Sequence, residues 1–511
     1  MATMAATVNK LHSRRRAKLA GTLSVFMAVG IASSAQALDW RFAPSVGASA
    51  TLTDNVNQSP DNKDSALILQ VFPGFTLQSE GSRRVEATMS YYLSGVARFG
   101  GDDDNDINHR LNATGKVELM DDFLFVDANA RVSQDLISLV GSPADAAING
   151  SNRATTSSYS ISPYIQRRFG TFADAEARYT VSGVLFEENV ASDLLSNEFI
   201  ASLNSGSRFN TLTWGLNYSF RDVSDRSYGV NDTSYTYERA DLTLGYALTR
   251  KFQLTGNVGH EWIEYDSALA AANNRDDSIW SAGFAWSPSR RTSIEASMGQ
   301  RFFGDTYSLL ASYRARESVW TASYTEDVND ISRTTLTEGT TYGWLCDGKF
   351  VETAFAIEPA PGCILVSTQD GLIPSLANGL FVSKVLRAGV SWGIRKVTYS
   401  VNVFDVTRIF LLQNDAEDRS QGINTSMNYR LSPITNFYGN LNWTRIQDPS
   451  TLSNLGVDRE DDLYSFVVGV NRQFGSDLTG ALTYRHYRRD SNDLTAEYTE
   501  NNLMASVNMR F

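Results

Sequence analysis

The chain ends Asn501-Asn502-Leu503-Met504-Ala505-Ser506-Val507-Asn508-Met509-Arg510-Phe511, and the reading of this stretch decides the fold. Leu503, Ala505, Val507, Met509 and Phe511 fall on one side of an extended strand. Asn502, Ser506, Asn508 and Arg510 fall on the other, with only Met504 out of character. Such alternation makes a strand with one apolar and one wet face. It suits the last strand of a soluble sandwich or of a transmembrane barrel. The choice turns on whether the chain repeats the pattern often enough to close a barrel.

Working back, the pattern recurs. Phe437, Leu441 and Trp443 oppose Asn436, Asn440, Asn442 and Thr444, while Leu386, Ala388, Val390, Trp392 and Ile394 oppose Arg387 and Ser391. Ala240, Leu242, Leu244, Tyr246 and Leu248 oppose Arg239, Asp241 and Thr243, and Leu212, Trp214, Leu216, Tyr218 and Phe220 oppose Thr213, Asn217, Ser219 and Arg221. The connections switch between short ones, such as Met120 to Asp122, Arg168 to Thr171 and Ile394 to Lys396, and long acidic ones, such as Asp54 to Ser65, Leu136 to Arg153 and Asp448 to Asp461. Tight periplasmic turns and long external loops are the asymmetry of outer-membrane barrels, and a sandwich has no reason to show it. The pattern predicts an all-β, antiparallel, up-and-down transmembrane barrel of about 22 strands, in a range of roughly 18 to 24. The rhythm breaks between Tyr324 and Leu380. This region reads as one external loop over about 325–380 that folds over or into the lumen, with an extra hairpin as the alternative.

The other end of the chain supplies the address. Lys10, Arg14, Arg15, Arg16 and Lys18 precede an apolar run from Leu19 to Ile31 and an Ala35-Gln36-Ala37 site. This is the layout of a secretory signal peptide over residues 1–37, cleaved before Leu38, with one barrel domain over 38–511. No later run approaches the roughly 18 apolar residues of a membrane-spanning helix. Strand alternation hides apolar surface from such a count, so the mean hydropathy of −0.26 fits a barrel as well as a soluble protein.

Removing the signal segment leaves 40 basic against 57 acidic residues, a net charge of −17, which argues against nucleic acid or an anionic lipid surface as partner. The only cysteines, Cys346 and Cys363, are a local pair with sixteen residues between them. In an exported chain they read as a disulfide, since a metal site needs further ligands and no histidine lies between Asp266 and Asn471.

Several stretches resemble a known family: Thr53-Asp54-Asn55-Val56, Leu119 to Ala128, Ile161-Ser162-Pro163-Tyr164, Arg301 to Ser308 and Val319 to Asp327. They are similar to the PEP-CTERM system-associated outer-membrane proteins, akin to β-barrel porins. The resemblance covers most of the mature chain and rests on strand and turn signatures without a catalytic set. It implies a setting beside exopolysaccharide synthesis and export. The terminal strand looks like the signal read by the barrel-assembly machinery, through Leu503, Ala505, Val507, Met509 and Phe511.

Catalysis finds little support. The mature chain has three histidines, His109, His260 and His486. His109 shares a face with Leu111 and Ala113, and the other two sit toward outer strand ends. The one Gly-x-Ser-x-Gly spacing, Gly389-Val390-Ser391-Trp392-Gly393, falls inside an alternating strand and not on a strand-to-helix elbow, and there is no Cys-x-x-Cys-His haem motif, so the expectation is a non-enzyme without a cofactor. Asp102-Asp103-Asp104-Asn105-Asp106 spaces its acids as a calcium loop does, but Ile107 stands where glycine belongs and the closing Glu is missing. That stretch, and likewise Asp458, Glu460, Asp461 and Asp462, reads as a solvated acidic tip.

By alternation Lys116, Glu118, Asp127, Arg131, Asp174, Glu176, Arg178, Arg221, Arg239, Asp241, Glu261, Glu295 and Arg301 point inward. They either line an aqueous channel or brace the wall. On the lipid face an Arg or Lys would cost about 2–4 kcal/mol at midplane. Barrels of about 22 strands are wide and commonly plugged. Here the first strand starts within a few residues of Leu38, which disfavours a TonB-dependent transporter. The expected partners are outer-membrane lipid and lipopolysaccharide, the assembly machinery, and polysaccharide or periplasmic export components. The leading function is an exopolysaccharide channel or export component. A diffusion porin or structural barrel comes next, then a sheath for an electron carrier, then a hydrolase.

Overall fold

The computed structural model describes residues 39–100, 105–140, 151–187, 192–225, 234–266, 273–331, 333, 379–412, 416–448 and 458–511, and the backbone alone of 342–346, 349–353 and 363–367. The expected signal peptide and Asp102 to Asp104 lie outside these residues.

The strands are β1 (Asp39–Thr53), β2 (Ala66–Glu80), β3 (Val85–Phe99), β4 (Asp106–Met120), β5 (Leu124–Leu136), β6 (Arg153–Phe169), β7 (Ala173–Phe186) and β8 (Leu194–Ser205). They continue as β9 (Leu212–Asp225), β10 (Tyr235–Thr249), β11 (Phe252–Tyr265), β12 (Arg275–Ser289), β13 (Thr292–Arg301), β14 (Gly304–Arg314) and β15 (Ser318–Asp330). Three short strands follow, β16 (Tyr342–Cys346), β17 (Lys349–Thr353) and β18 (Cys363–Ser367). The chain finishes with β19 (Leu380–Ile394), β20 (Val397–Phe410), β21 (Ala416–Ser432), β22 (Thr435–Asp448), β23 (Arg459–Gln473), β24 (Leu478–Ser491) and β25 (Tyr498–Arg510).

All strands except β16–β18 form one 22-stranded sheet in which each pairs antiparallel with its neighbours in sequence, β15 joining β19. β25 closes the ring on β1, from Ser45 opposite Arg510 to Thr53 opposite Asn502. Closure leaves no open edge, so the backbone groups of the wall satisfy one another and the apolar face can meet lipid.

The turns at one end are tight because a few residues adopt left-handed backbone. Asp122, between β4 and β5, has φ 54, Gly170, between β6 and β7, has φ 59, and Arg395, between β19 and β20, has φ 55. Glycine takes this region without strain, and aspartate tolerates it better than most residues. The start of β1 and the end of β25 lie at this same end.

The other end departs from a uniform set of long loops. β13 and β14, of 10 and 11 residues, join through Phe302-Phe303 alone, so the wall is low there. The strand pattern of β15 continues to Asp330 because Thr325 to Asp330 pairs with Leu380 to Val385 of β19. The connection is therefore 331–379 and not 325–380. Within it β16, flanked by β17 and β18, makes a separate small sheet whose backbone register sets Cys346 opposite Cys363.

Candidate functional site: the lumen and its outer mouth

Burial identifies the two faces of the wall. In β25, Asn502, Met504, Ser506 and Asn508 are buried, while Leu503, Ala505, Val507 and Met509 are exposed, as is Phe511 just beyond the strand. Because paired residues share a face, the register carries this assignment round the ring. The outer face is a belt of exposed Leu, Val, Phe, Trp and Tyr such as Leu216, Trp280, Leu441 and Leu482. Only a hydrocarbon surround makes that belt favourable, and its inner counterpart is polar.

The thirteen charged residues expected to point inward lie on β4–β13 and mostly face one another. Near the periplasmic end, Glu118 accepts from the Asp122 backbone N–H at 2.5 Å and Asp174 pairs with Arg168 at 2.8 Å. Above them Lys116 lies 5.4 Å over the Phe125 ring, which stacks on Tyr164, and Arg178 covers Tyr164 at 3.7 Å. Arg178 also binds Asp127 at 2.8 Å and Glu176 at 3.2 Å. Arg131 donates to Ser133 at 3.4 Å, and Glu295 is exposed on β13.

The densest network climbs from β9 to β15. Asp241 accepts from Asn217, Asn257 and Arg239. Arg239 reaches Glu261 at 3.2 Å, and Glu261, wholly buried, also takes Arg301 at 2.6 Å and the Tyr237 hydroxyl at 2.9 Å. Arg301 then bridges to Asp327 of β15 at 3.0 Å. A buried carboxylate with three donors is compensated, and removing one partner of such a pair costs about 3–5 kcal/mol.

The sequence led us to expect the region 325–380 to fold over or into the lumen, but not which partners hold it there. Asp330, at the end of β15, binds Arg221 of β9 at 3.1 Å and accepts from Tyr235 of β10 at 2.9 Å. Arg333 reaches Glu198 of β8 at 2.6 Å. Neighbouring strands stand about 4.8 Å apart, so β15 and β9 are separated by roughly 30 Å of wall. These contacts therefore cross the mouth. Val328, Ile331 and Leu380 bury themselves there against Val184, Val223, Tyr235 and Ile263, which line the inside of β7–β11. Burial works against the charge of Arg333, but Glu198 and Asp330 outweigh it and its pKa is raised.

A second segment crosses elsewhere. Leu139 and Val140, just after β5, pack on Ile446 of β22 and Leu463 of β23. The Val140 carbonyl accepts from Arg489 of β24 at 2.6 Å. Arg489 is also bound to Asp461, which is wholly buried and takes Arg459 at 3.2 Å and the Ser491 hydroxyl. Asp461 is thus no solvated tip: Arg459, two residues away, shares its face, and Arg489 comes from the next strand. That same-face Arg-x-Asp spacing was the available signal. Asp462, on the opposite face, pairs with Arg445 at 2.8 Å.

The histidines stand apart. His109 meets the Tyr91 hydroxyl at 2.9 Å, His260 meets Asp276, and His486 meets Asn501 at 2.8 Å. They sit on β4, β11 and β24 with no shared partner. Among the described residues no group of three or more His, Cys, Asp or Glu is placed to hold a metal ion.

No family model and no curated protein matches the chain. Among solved structures it is similar to the FrpB iron transporter from Neisseria meningitidis, with TM-score 0.51 and 11% identity over 93% of this chain and 83% of that one. It is also similar to a variant of the ferric enterobactin receptor PfeA from Pseudomonas aeruginosa, with TM-score 0.51 and 9% identity over 94% and 82%. Identity this low speaks for the fold alone. With the closed ring and its apolar belt, it makes the protein a 22-stranded outer-membrane β-barrel.

Proposed function

We propose that this barrel is a non-enzymatic channel whose outer mouth is narrowed by its own inward-folded segments, and that it serves exopolysaccharide export. The observation that carries the channel reading is the pair of crossings at the mouth, 137–140 and 328–331 with Arg333, above a polar lumen. A purely structural barrel needs neither. The cargo reading rests on the resemblance to PEP-CTERM system-associated proteins, whose setting is polysaccharide secretion. Partners on this reading are lipopolysaccharide outside, the assembly machinery during insertion, and periplasmic export components below. On this reading the disulfide expected between Cys346 and Cys363, which the backbone register sets opposite one another, would hold the small sheet of the β15–β19 connection.

Gene deletion tests the cargo. An export channel predicts loss of extracellular polymer with accumulation in the periplasm. Unchanged polymer with reduced permeability to small solutes would make the protein a diffusion porin instead. Conductance in planar bilayers before and after reduction tests the mouth. Low conductance that rises on reduction is expected, and silence under both conditions would sink the channel reading.

A further inference from the structure

The lumen is chemically lopsided. On β20–β25, below Arg408, Asp418, Asp461, Arg489 and Glu500 and above the periplasmic rim, the inward face carries one formal charge among the described residues, Arg485. The rest is mostly amide and hydroxyl. Asn402, Asn424, Asn442 and Ser465 stand directly opposite one another on β20 to β23. The row beneath begins Ser400, Ser426 and Asn440. The charged arc, β4–β13, lies across the ring.

Three amides of the neutral arc have unmet hydrogen-bonding atoms. Asn471 Nδ2, Asn502 Oδ1 and Asn508 Oδ1 find no protein partner, although each residue is at least nine-tenths buried. Buried polar atoms without partners are uncommon and call for water or a ligand to meet them. An amide offers a donor and an acceptor side by side, the match for a pair of neighbouring hydroxyls. A polyanion would find almost no cation on this face, in a chain whose mature net charge is −17.

We infer that the β20–β25 arc is a recognition track for an uncharged, hydroxyl-rich chain, a neutral glycan. This rests on the channel reading, and the test separates the two. Purified full-length barrel is titrated in detergent with dextran oligomers and with oligogalacturonate of equal length, and the same pair is used to block conductance. The expected result is about tenfold tighter binding of the dextran, and loss of that preference in Asn402→Asp/Asn424→Asp/Asn442→Asp, since a carboxylate cannot donate as the amide does. Asn424→Asp alone, expected to shift the preference part-way, serves if the triple variant fails to fold. Equal or tighter binding of oligogalacturonate, or binding of neither, overturns the track even if the barrel conducts. Binding of dextran by a barrel that never conducts keeps the track and discards the channel.

Discussion

Asp330→Asn removes one charge at the mouth and leaves the side-chain volume unchanged. In the native protein Asp330 and Arg221 each expose only 3% of their side chains. The carboxylate takes Arg221 at 3.1 Å, the Tyr235 hydroxyl at 2.9 Å and the Arg333 backbone N–H at 3.1 Å. An amide leaves the Arg221 guanidinium with Glu198 at 3.3 Å as its remaining acid among these partners. Breaking a buried pair in this way costs about 3–5 kcal/mol. The loss falls on the closed mouth, because Arg221 regains water once the paired ends of β15 and β19 swing away together. At about 1.4 kcal/mol per factor of ten, closure weakens by roughly a hundredfold to a few thousandfold. The apolar contacts of Val328, Ile331 and Leu380, each about 1.5–3 kcal/mol when fully buried, remain to bring the segment back. Single-channel recordings should therefore show frequent reversible openings in the variant and rare ones in the wild type. Raising salt from 0.1 to 1 M should leave the wild type unchanged, since screening acts on exposed charges far more than on buried pairs. A variant that still runs as a folded barrel on unheated gels and keeps wild-type closed times would refute the latch.

Arg489→Ala should free the other crossing: with the Val140 carbonyl losing its donor and the buried Asp461 losing one of its three, the β5–β6 loop should become cleavable by added protease and conductance should rise. Leu441→Arg, on the exposed outer face near the middle of β22, should cost about 2–4 kcal/mol by urea unfolding in lipid vesicles. Asn440→Arg, one residue away and facing the lumen, should stay within about 0.5 kcal/mol. Deleting Phe511 should abolish assembly in cells. The same chain refolded in detergent should melt close to the wild type, because Phe511 adds to the β1–β25 ladder only one backbone hydrogen bond, from its N–H to the Pro44 carbonyl at 3.0 Å; an equal loss in detergent would make Phe511 structural.

The wall was legible because a period of two is visible wherever one face meets lipid and the other water, as Leu503 to Phe511 shows. Its limits were less so. Above the membrane both faces of a strand are polar, so nothing in Thr325 to Asp330 marks it as wall, and only the partner at Leu380 to Val385 does. Phe302-Phe303 hid the low hairpin because two apolar residues between alternating runs do not announce a turn. The contacts that hold the mouth were invisible for another reason. Asp330 with Arg221 and Val140 with Arg489 are 109 and 349 residues apart, and no local pattern encodes contacts at that range.

The low β13–β14 hairpin accounts for where the mouth closes. A full-height wall at that point would stand between the end of β15 and β9–β11. With Phe302 and Phe303 capping a short hairpin and packing against the same apolar cluster, the end of β15 can reach Tyr235 and Arg221. Arg301, the last residue of β13, sits at the junction, bound below to Glu261 and beside it to Asp327 of β15. Arg221, Arg239, Asp241, Glu261 and Arg301 are thus committed to one another and to the crossing segment. A charge ring selects ions where a pore narrows, and only if its charges are free to face the ion. Glu261 is not, being wholly enclosed by Arg239, Arg301 and Tyr237. The charged arc is therefore better suited to hold the barrel's shape and its mouth, and discrimination falls to the amide and hydroxyl arc opposite.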